Sequence, residues 1–258
     1  DVSNVKGRIE VRTWDRAEVQ ITGSLGDGVE RLQIEGDRQN LEVKVRYPRN
    51  SNNTEPTNLV LNVPLQASLD ISGVAVTIDV AGVAGQKLEI DSVSGTVTAV
   101  GAPREVEIDS VSGDLRLNLN SNNVDIESVS GNISLRGRIA GDIEVETVSG
   151  DIVIDTRGEQ ARRIGTSTVS GNAEIRSGLA SNGKISAESV SGNITVVAPR
   201  DLSARVIAES FSGRLRAPDA TIIKPKYGPG SNFEHSYGRG DGEIKIESFS
   251  GSAELKLD

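Results

Sequence analysis

A four-residue phrase, in which a hydroxyl residue is followed by Val or Phe and then by Ser-Gly, recurs eight times in the sequence. The copies begin at Ser92, Ser110, Ser128, Thr147, Thr168, Ser189, Ser210 and Ser248, and they end at Gly95, Gly113, Gly131, Gly150, Gly171, Gly192, Gly213 and Gly251. Such a repeat constrains the fold more than any single motif, because every copy must adopt the same local structure and meet its neighbours in the same way.

The spacing of the copies is regular. From glycine to glycine the steps are 18, 18, 19, 21, 21 and 21 residues, followed by one step of 38. Apolar residues alternate with polar ones on both sides of the phrase, as at Val106 and Ile108 before Gly113 and at Leu115 and Leu117 after it. Alternation of period two, bounded by Gly and Ser, is typical of strands with one face in water. Each copy therefore predicts a strand, a corner and a second strand.

Two all-β architectures fit this unit. In a parallel β-solenoid each copy forms one turn, termed a rung, and equivalent residues stack about 4.8 Å apart. In a meander of hairpins, pairs such as Gly113-Asp114 form two-residue turns. Stacking favours the solenoid, because it explains why Ser, Val and Gly recur at fixed places: Gly supplies a corner with positive φ, and Ser supplies a hydrogen-bonded ladder. The preference of parallel crossovers for one hand predicts a right-handed, single-stranded coil.

The other segments predict a cap and an insertion. Residues 1–64 lack the phrase but carry strand patterns, among them an antiparallel hairpin over residues 32–41, and predict an N-terminal β cap continuous with the solenoid. Residues 48–57 predict a polar loop. Residues 65–258 predict the repeat solenoid, with a Pro- and Gly-rich insertion loop at 217–242 and a last rung at 243–257 that closes the chain. Phe211 and Phe249, in the two copies that flank the insertion, are expected to fill volume there.

Several segments resemble a known family. The opening run Gly-Arg-Ile-Glu-Val-Arg-Thr-Trp-Asp from Gly7 to Asp15, the Val63-Pro64 step and the serial Ser-Gly corners followed by Asp or Asn are similar to those of the bacterial adhesin-like family of β-strand repeats, whose function is unknown. The resemblance covers nearly the whole chain. It implies an envelope-associated or secreted β-solenoid, and it carries over no catalytic residues.

Composition limits the chemistry and the location. The absence of Cys excludes disulfides, thiol catalysis and thiolate metal sites. The chain has no Met and begins at Asp1, so we expect a product from which a signal peptide has been removed and which acts in the periplasm, at the cell surface or as a secreted protein. No apolar run is long enough for a transmembrane segment. The net charge is −9, which disfavours nucleic acid and favours cations or basic partners.

Acidic residues precede seven of the eight corners. Four of them, Asp91, Asp109, Glu127 and Glu146, are candidate metal ligands, because stacking would place their carboxylates about 4.8 Å apart. Neighbouring charges at that distance repel by roughly 3.5 kcal/mol at an effective dielectric of 20. Ca²⁺ could bridge them through oxygen ligands. The alternative is a solvated acidic face that needs no cofactor and keeps the coil soluble.

The insertion contains the candidate ligand-binding residues Tyr227, Phe233, His235 and Tyr237. Their aromatic rings could stack on a glycan or a peptide, or they could fold the loop onto the coil as an apolar cover. His235 is the single histidine, and its neighbour Ser236 in a Gly-rich loop lacks the supporting groups of a nucleophilic triad. A glycosidase needs two carboxylates at a defined spacing in a cleft, whereas the acidic positions here repeat uniformly.

These patterns predict a non-catalytic binding or scaffold module of the envelope or the secreted fraction. The expected partner is a glycan or a surface protein, and the expected state is a monomer or a weakly self-associating molecule. Two alternatives stay open at this point: a structural protein that assembles through its coil ends, and an enzyme that acts on polysaccharides.

Overall fold

The computed structural model describes residues 1–48 and 54–258 as an all-β protein. These residues form twenty-one strands and no helix. They fall into two compact units, residues 1–120 and residues 121–258, so the compact units divide the chain at a different place from the predicted boundary between cap and solenoid. Of the predicted polar loop at 48–57, residues 49–53 lie outside the described residues.

The described part of the first unit contains ten strands. They are β1 (Val2–Trp14), β2 (Gln20–Ser24), β3 (Arg31–Gly36), β4 (Leu41–Arg46), β5 (Thr57–Pro64), β6 (Leu69–Val83), β7 (Lys87–Ser94), β8 (Val97–Gly101), β9 (Glu105–Ser112) and β10 (Leu115–Leu119). Strands β6, β7 and β9 are parallel neighbours on one side of the corners. Strands β6, β8 and β10 are parallel neighbours on the other side. The predicted unit of strand, corner and strand is thus confirmed, together with its rung-to-rung stacking.

The N-terminal strands mix both directions. Strands β3 and β4 form the predicted antiparallel hairpin, with Leu32 opposite Val45. Strand β1 runs parallel to β5 and β6, whereas β2 runs antiparallel to β5. Because β2 carries few buried side chains, it covers the edge of β5 without adding much to the core.

The second unit contains eleven strands among its residues, all of which the structure describes. They are β11 (Asn123–Ser130), β12 (Ile133–Arg136), β13 (Asp142–Ser149), β14 (Ile152–Ser170), β15 (Ala173–Ser191), β16 (Ile194–Ala198), β17 (Ala204–Ser210), β18 (Leu215–Arg216), β19 (Ser231–Tyr237), β20 (Gly242–Ser248) and β21 (Ala253–Leu257). Ahead of the corners, β11, β13, β14 and β15 stack in parallel with Ile126, Val145, Thr166 and Ala187 in register. After the corners, β12, β14, β15 and β16 stack in the same way.

The last rung of the sequence is not the last rung in space. Strand β20 lies between β15 and β17, so that Glu247 is in register with Glu188 on one side and with Glu209 on the other. Strand β21 lies in the same way between β16 and β18. Residues 243–257 do form the last rung of the chain, but this rung does not lie at the end of the stack. The insertion is long enough to let the chain return and place its final rung inside the stack.

The insertion also corrects the prediction of a purely parallel solenoid. Strand β19 pairs antiparallel with β17, with Phe233 opposite Ala208 and Ser231 opposite Ser210. Since β17 has β20 on its other side, β19 covers what would otherwise be an open edge. Both units are therefore mixed β structures in which a parallel, solenoid-like stack is flanked by antiparallel strands.

Candidate functional site

The corner glycines allow the rungs to approach more closely than any other residue would. Gly171 has a φ of +156°, and a Cβ atom there would lie 1.9 Å from the carbonyl oxygen of Gly150. Gly192 has no left-handed φ, yet a Cβ atom there would lie 1.8 Å from the carbonyl oxygen of Gly171. The predicted need for positive φ is confirmed at five corners, from Gly95 to Gly171. The close contact with the neighbouring rung is a second reason for glycine at these corners, and the sequence reasoning missed it.

Side chains just after the glycine form a polar ladder in the second unit. The Asp151 backbone N–H donates to Asn132 Oδ1 (3.1 Å), and the Asn172 backbone N–H and Nδ2 both donate to Asp151 Oδ1 (2.8 and 3.0 Å). Asn193 makes the same pair of bonds to Asn172 Oδ1 (3.0 and 3.1 Å), and the Ser252 backbone N–H donates to Asn193 Oδ1 (3.1 Å). This ladder ties each corner to the next. The Asp or Asn that follows four of the six corner glycines in this unit was its sequence signal.

The hydroxyl groups of the phrase behave in two ways. The third-position Ser hydroxyls donate to the carbonyl of a neighbouring rung, as from Ser112 to Val93 (3.1 Å) and from Ser250 to Val190 (3.2 Å). The predicted hydroxyl ladder therefore runs through backbone carbonyls. The first-position hydroxyls point inward, and the six from Ser92 to Ser189 are buried without a hydrogen-bond partner. Because successive side chains of an extended strand point to opposite faces, the residue at the second position of the phrase points outward.

The outward second positions of the corners form an apolar row on the second unit. Its members, each about half exposed, are Val129, Val148, Val169, Val190, Phe249 and Phe211. At the end of the row the rings of Phe211 and Phe249 stack with their centroids 4.7 Å apart and their planes 4° from parallel. Both rings remain open to solvent, at 47% and 56% exposure. The two rings thus lie on the surface beside the insertion and are not part of the core.

The acidic row of the first unit is neutralised in part by a lysine. Asp91 and Asp109 are in register on adjacent strands, as are Glu89 and Glu107. Lys87 Nζ bridges the latter pair, at 2.6 Å from Glu89 and 2.7 Å from Glu107, and these contacts raise the pKa of the Lys87 ammonium. Burial, and then the neighbouring carboxylates led by Asp109, raise the pKa of Asp91. Lys87 therefore offsets the repulsion between Glu89 and Glu107, while the repulsion between Asp91 and Asp109 remains.

In the second unit Glu127 and Glu146 are in register on β11 and β13, as the stacking model predicts. Burial raises the pKa of the adjacent Glu144, and the charges of Glu146 and Asp125 raise it further, while Arg163 opposes them. Among the described residues, no group of three or more acidic or histidine side chains is arranged to hold a metal ion. Calcium binding by these carboxylates stays a prediction for measurement.

A cleft of about 570 Å³ lies where the insertion faces the end of the apolar row. One wall consists of the corners and includes Val169, Val190 and the Phe211–Phe249 pair. The carboxylates that line it are Glu188, Glu209 and Glu247. The opposite wall is formed by the insertion, through Ile223, Pro225, Pro229, Gly230, Ser231 and Asn232. All of these residues belong to the second unit.

Main-chain hydrogen bonds hold the insertion wall in place. The Ile223 N–H donates to the Asn232 carbonyl (2.8 Å), and the Asn232 N–H donates to the Ile223 carbonyl (3.0 Å). Asn232 is part of β19, which is paired along its length with β17. The wall is therefore an extension of the sheet, and the two prolines stiffen the segment that follows Ile223.

The four aromatic and histidine candidates of the insertion do not form one exposed patch. The ring of Phe233 is buried in the core, at 1% exposure, and Tyr237 is also buried. The Tyr237 hydroxyl donates to the Pro218 carbonyl. Tyr227 is 83% exposed, with Lys226 Nζ 5.5 Å from its ring centroid. Phe233 and Tyr237 thus anchor the loop, whereas Tyr227 is free to contact a partner.

His235 makes no contact that would activate a nucleophile. Its ring packs edge-on against Tyr237 with centroids 4.6 Å apart. In the part of the chain that the structure describes, it forms no hydrogen bond to a hydroxyl or carboxylate side chain.

The described residues contain no helix that is long and apolar enough to cross a membrane.

A family model and a solved structure are similar to this chain. A crystal structure of a "putative cell adhesion protein" from Clostridium sporogenes is 10% identical, with a TM-score of 0.21, over 100% of this chain and 91% of that chain. No curated protein matches the chain. The family model described as Toastrack DUF4097 matches residues 4–182, which is more than half of the sequence. The chain therefore belongs to the Toastrack DUF4097 family.

Proposed function

We propose that the chain is a non-catalytic binding module of the bacterial cell envelope or cell surface, and that it holds its partner in the cleft beside the insertion. The observation that carries this proposal is the combination of exposed, stacked rings and carboxylates in a concave site of about 570 Å³. Pockets of this size and mixed lining are typical of ligand sites. The site is carried on a coil whose right-handed sense follows from the general preference of parallel crossovers.

The side chains around the cleft support binding over catalysis. Glu188, Glu247 and Glu209 occupy equivalent positions on three adjacent strands, whereas a glycosidase needs one acid and one base set apart by a defined spacing and by different environments. His235 packs against Tyr237 and has no nucleophile within hydrogen-bond reach among the described residues. A repeated ladder of equivalent groups suits an extended partner better than a single reacting bond.

The test is a binding panel against soluble peptidoglycan fragments, neutral envelope polysaccharides and displayed peptides. The decisive variant is Phe211→Val with Phe249→Val, because it gives these two corners the residue found in the other six copies and so preserves the repeat. Val111→Ala, at an exposed corner of the first unit, is the matched control. We expect at least one ligand whose binding is lost in the Phe variant and kept in the control.

Two results would contradict the proposal. One is a panel in which every binder is insensitive to the Phe variant. The other is release of reducing sugar from a polysaccharide that stops when Glu188 and Glu209 are changed to Gln, which would establish an enzyme.

A further inference from the structure

The charged residues that line the cleft are all acidic. Three of its lining residues are carboxylates, and no Lys, Arg or His is among the described residues that line it. Lys245 Nζ lies 2.8 Å from Glu247, and its charge also interacts with Glu188 and Glu209, which form no ion pair with a described basic side chain. The three carboxylates thus share one ammonium group. A partner that enters the cleft therefore meets a net negative charge, which favours a cation and repels an anion.

The carboxylates and the rings face the same side of the sheet. Glu209 and Phe211 are two residues apart, as are Glu247 and Phe249, and side chains two apart in an extended strand share a face. At about 3.3 Å per residue their Cα atoms are separated by roughly 7 Å. Residues two apart in an extended partner are spaced on the same scale and also share a face. A cationic side chain and a flat apolar one two positions away can thus meet a carboxylate and a phenyl ring at the same time.

The apolar part of the cleft suits a flat group. Phe211 is the last member of the apolar row, since β17 is followed in space by the antiparallel β19 and by no further corner. Across the cleft stand Ile223, Pro225 and Pro229. An aromatic ring placed between these walls would extend the Phe249–Phe211 stack by one member, in the offset or edge-on contacts that aromatic groups prefer. A neighbouring Lys or Arg would also gain a cation–π contact with the ring faces.

We propose that this cleft binds a basic peptide segment in which an aromatic residue lies two positions from Lys or Arg. The proposal rests on the proposed function and specifies its partner. A neutral glycan fits less well, because the charged groups of the cleft are acceptors without matching cationic donors. A polyanionic polymer is excluded by Glu188 and Glu209.

The probe is the blocked pentapeptide acetyl-Lys-Ser-Trp-Ser-Lys-amide, with acetyl-Glu-Ser-Trp-Ser-Glu-amide and acetyl-Lys-Ser-Ala-Ser-Lys-amide as controls for charge and for the ring. Binding to the full chain is measured by saturation-transfer NMR and by titration up to about 10 mM, a range suited to the weak affinity of a short ligand. We expect transfer to the indole protons of the first peptide only. Raising the salt from about 50 to 500 mM should weaken it, because salt screens exposed charges.

Two variants locate the site. Phe211→Val with Phe249→Val removes the rings, and Glu188→Gln with Glu209→Gln removes the charges; each should lower the affinity about tenfold, or about 1.4 kcal/mol. Glu174→Gln with Asp201→Asn removes the same number of charges from exposed residues of the second unit outside the cleft. This control should bind as the parent does. Circular dichroism confirms that all three variants are folded.

The outcomes separate the two proposals. The basic-peptide inference is overturned by any one of three results: no binding of acetyl-Lys-Ser-Trp-Ser-Lys-amide, equal binding of the acidic peptide, or binding that neither cleft variant weakens. If the same chain nevertheless binds another polymer in a manner that needs Phe211 and Phe249, the proposed function stands with a different ligand. If no ligand depends on those rings, both proposals fail.

Discussion

Replacing Gly192 by Ala should disrupt the corner stack of the second unit. The added Cβ would lie 1.8 Å from the Gly171 carbonyl oxygen, whereas real Cβ atoms essentially never come closer than 3.0 Å. The two rungs must therefore separate locally by about 1.2 Å. Because the obstacle is main chain held by both neighbouring rungs, no side-chain rotation can relieve it.

The cost follows from the hydrogen bonds at that corner. The Gly171 N–H donates to the Ser191 carbonyl (3.2 Å), and the Ala173 N–H donates to the Asn193 carbonyl (2.9 Å). The Asn193 N–H donates to Asn172 Oδ1 (3.0 Å). A separation of this size takes all three beyond hydrogen-bond distance. At about 1 to 1.5 kcal/mol each, their loss lowers the free energy of unfolding by roughly 3 to 5 kcal/mol.

The assay is thermal and urea unfolding followed by circular dichroism. At about 2 to 4 °C per kcal/mol, the Gly192→Ala midpoint should fall by roughly 6 to 20 °C. Gly228→Ala is the matched control, because that glycine has a φ of +94° and no heavy atom within 4 Å of its added Cβ. The Gly228→Ala variant should be destabilised only by backbone strain of about 1 to 2 kcal/mol. Midpoints that agree within about 2 °C for the two variants would refute the argument from close approach.

Three further predictions concern charge, metal and topology. The pKa of Asp91 is raised, so the folded state binds this proton more tightly than the unfolded state does, and stability falls as the pH rises through the range in which Asp91 loses it. Asp91→Asn should therefore raise the thermal midpoint at pH 7, whereas Asp91→Glu should not. The increase caused by Asp91→Asn should shrink as the pH falls towards the ordinary pKa range of an aspartate. Millimolar Ca²⁺ should leave the midpoint within about 1 °C of its value in chelator, whereas a rise of about 5 °C that is lost in Glu127→Gln with Glu146→Gln would establish a cation site. A chain that ends at residue 241 lacks the buried Ile244 and Ile246, and it should lose hydrogen-exchange protection in β15 and β17; unchanged protection there would contradict the position of β20.

The repeated part of the fold could be predicted because each copy of the repeat contains the residues that determine its own strands and corner. The alternation around Ile108 and Ile126 marks which side chains are buried. The glycine at each corner marks where the chain turns. Stacking identical corners satisfies all copies together, so the registers observed in the two units follow from the period alone. The hairpin at 32–41 was similarly local, since its polar turn lies between two apolar runs.

The position of the last rung could not be predicted in this way. The phrase at Ser248 is identical to the phrase at Ser210, so local pattern fits either order of the two copies. The difference lies in where the insertion goes, which depends on long-range contacts such as the burial of Phe233 and the pairing of β19 with β17. For the same reason the sequence could not divide the candidate residues of the insertion between anchor and contact, because only the fold distinguishes the buried Phe233 from the exposed Tyr227.

The return of the chain into the stack explains why the cleft exists. If the rungs followed sequence order, the insertion would leave the coil between two stacked rungs and would interrupt the ladder between them. Placing β20 inside instead makes the rung of β17 the outermost one, so the insertion leaves from the edge. It can then fold back antiparallel along β17 and cover that edge. The same path carries Ile223 and the two prolines across from Phe211, so the segment that protects the edge also forms the second wall of the cleft.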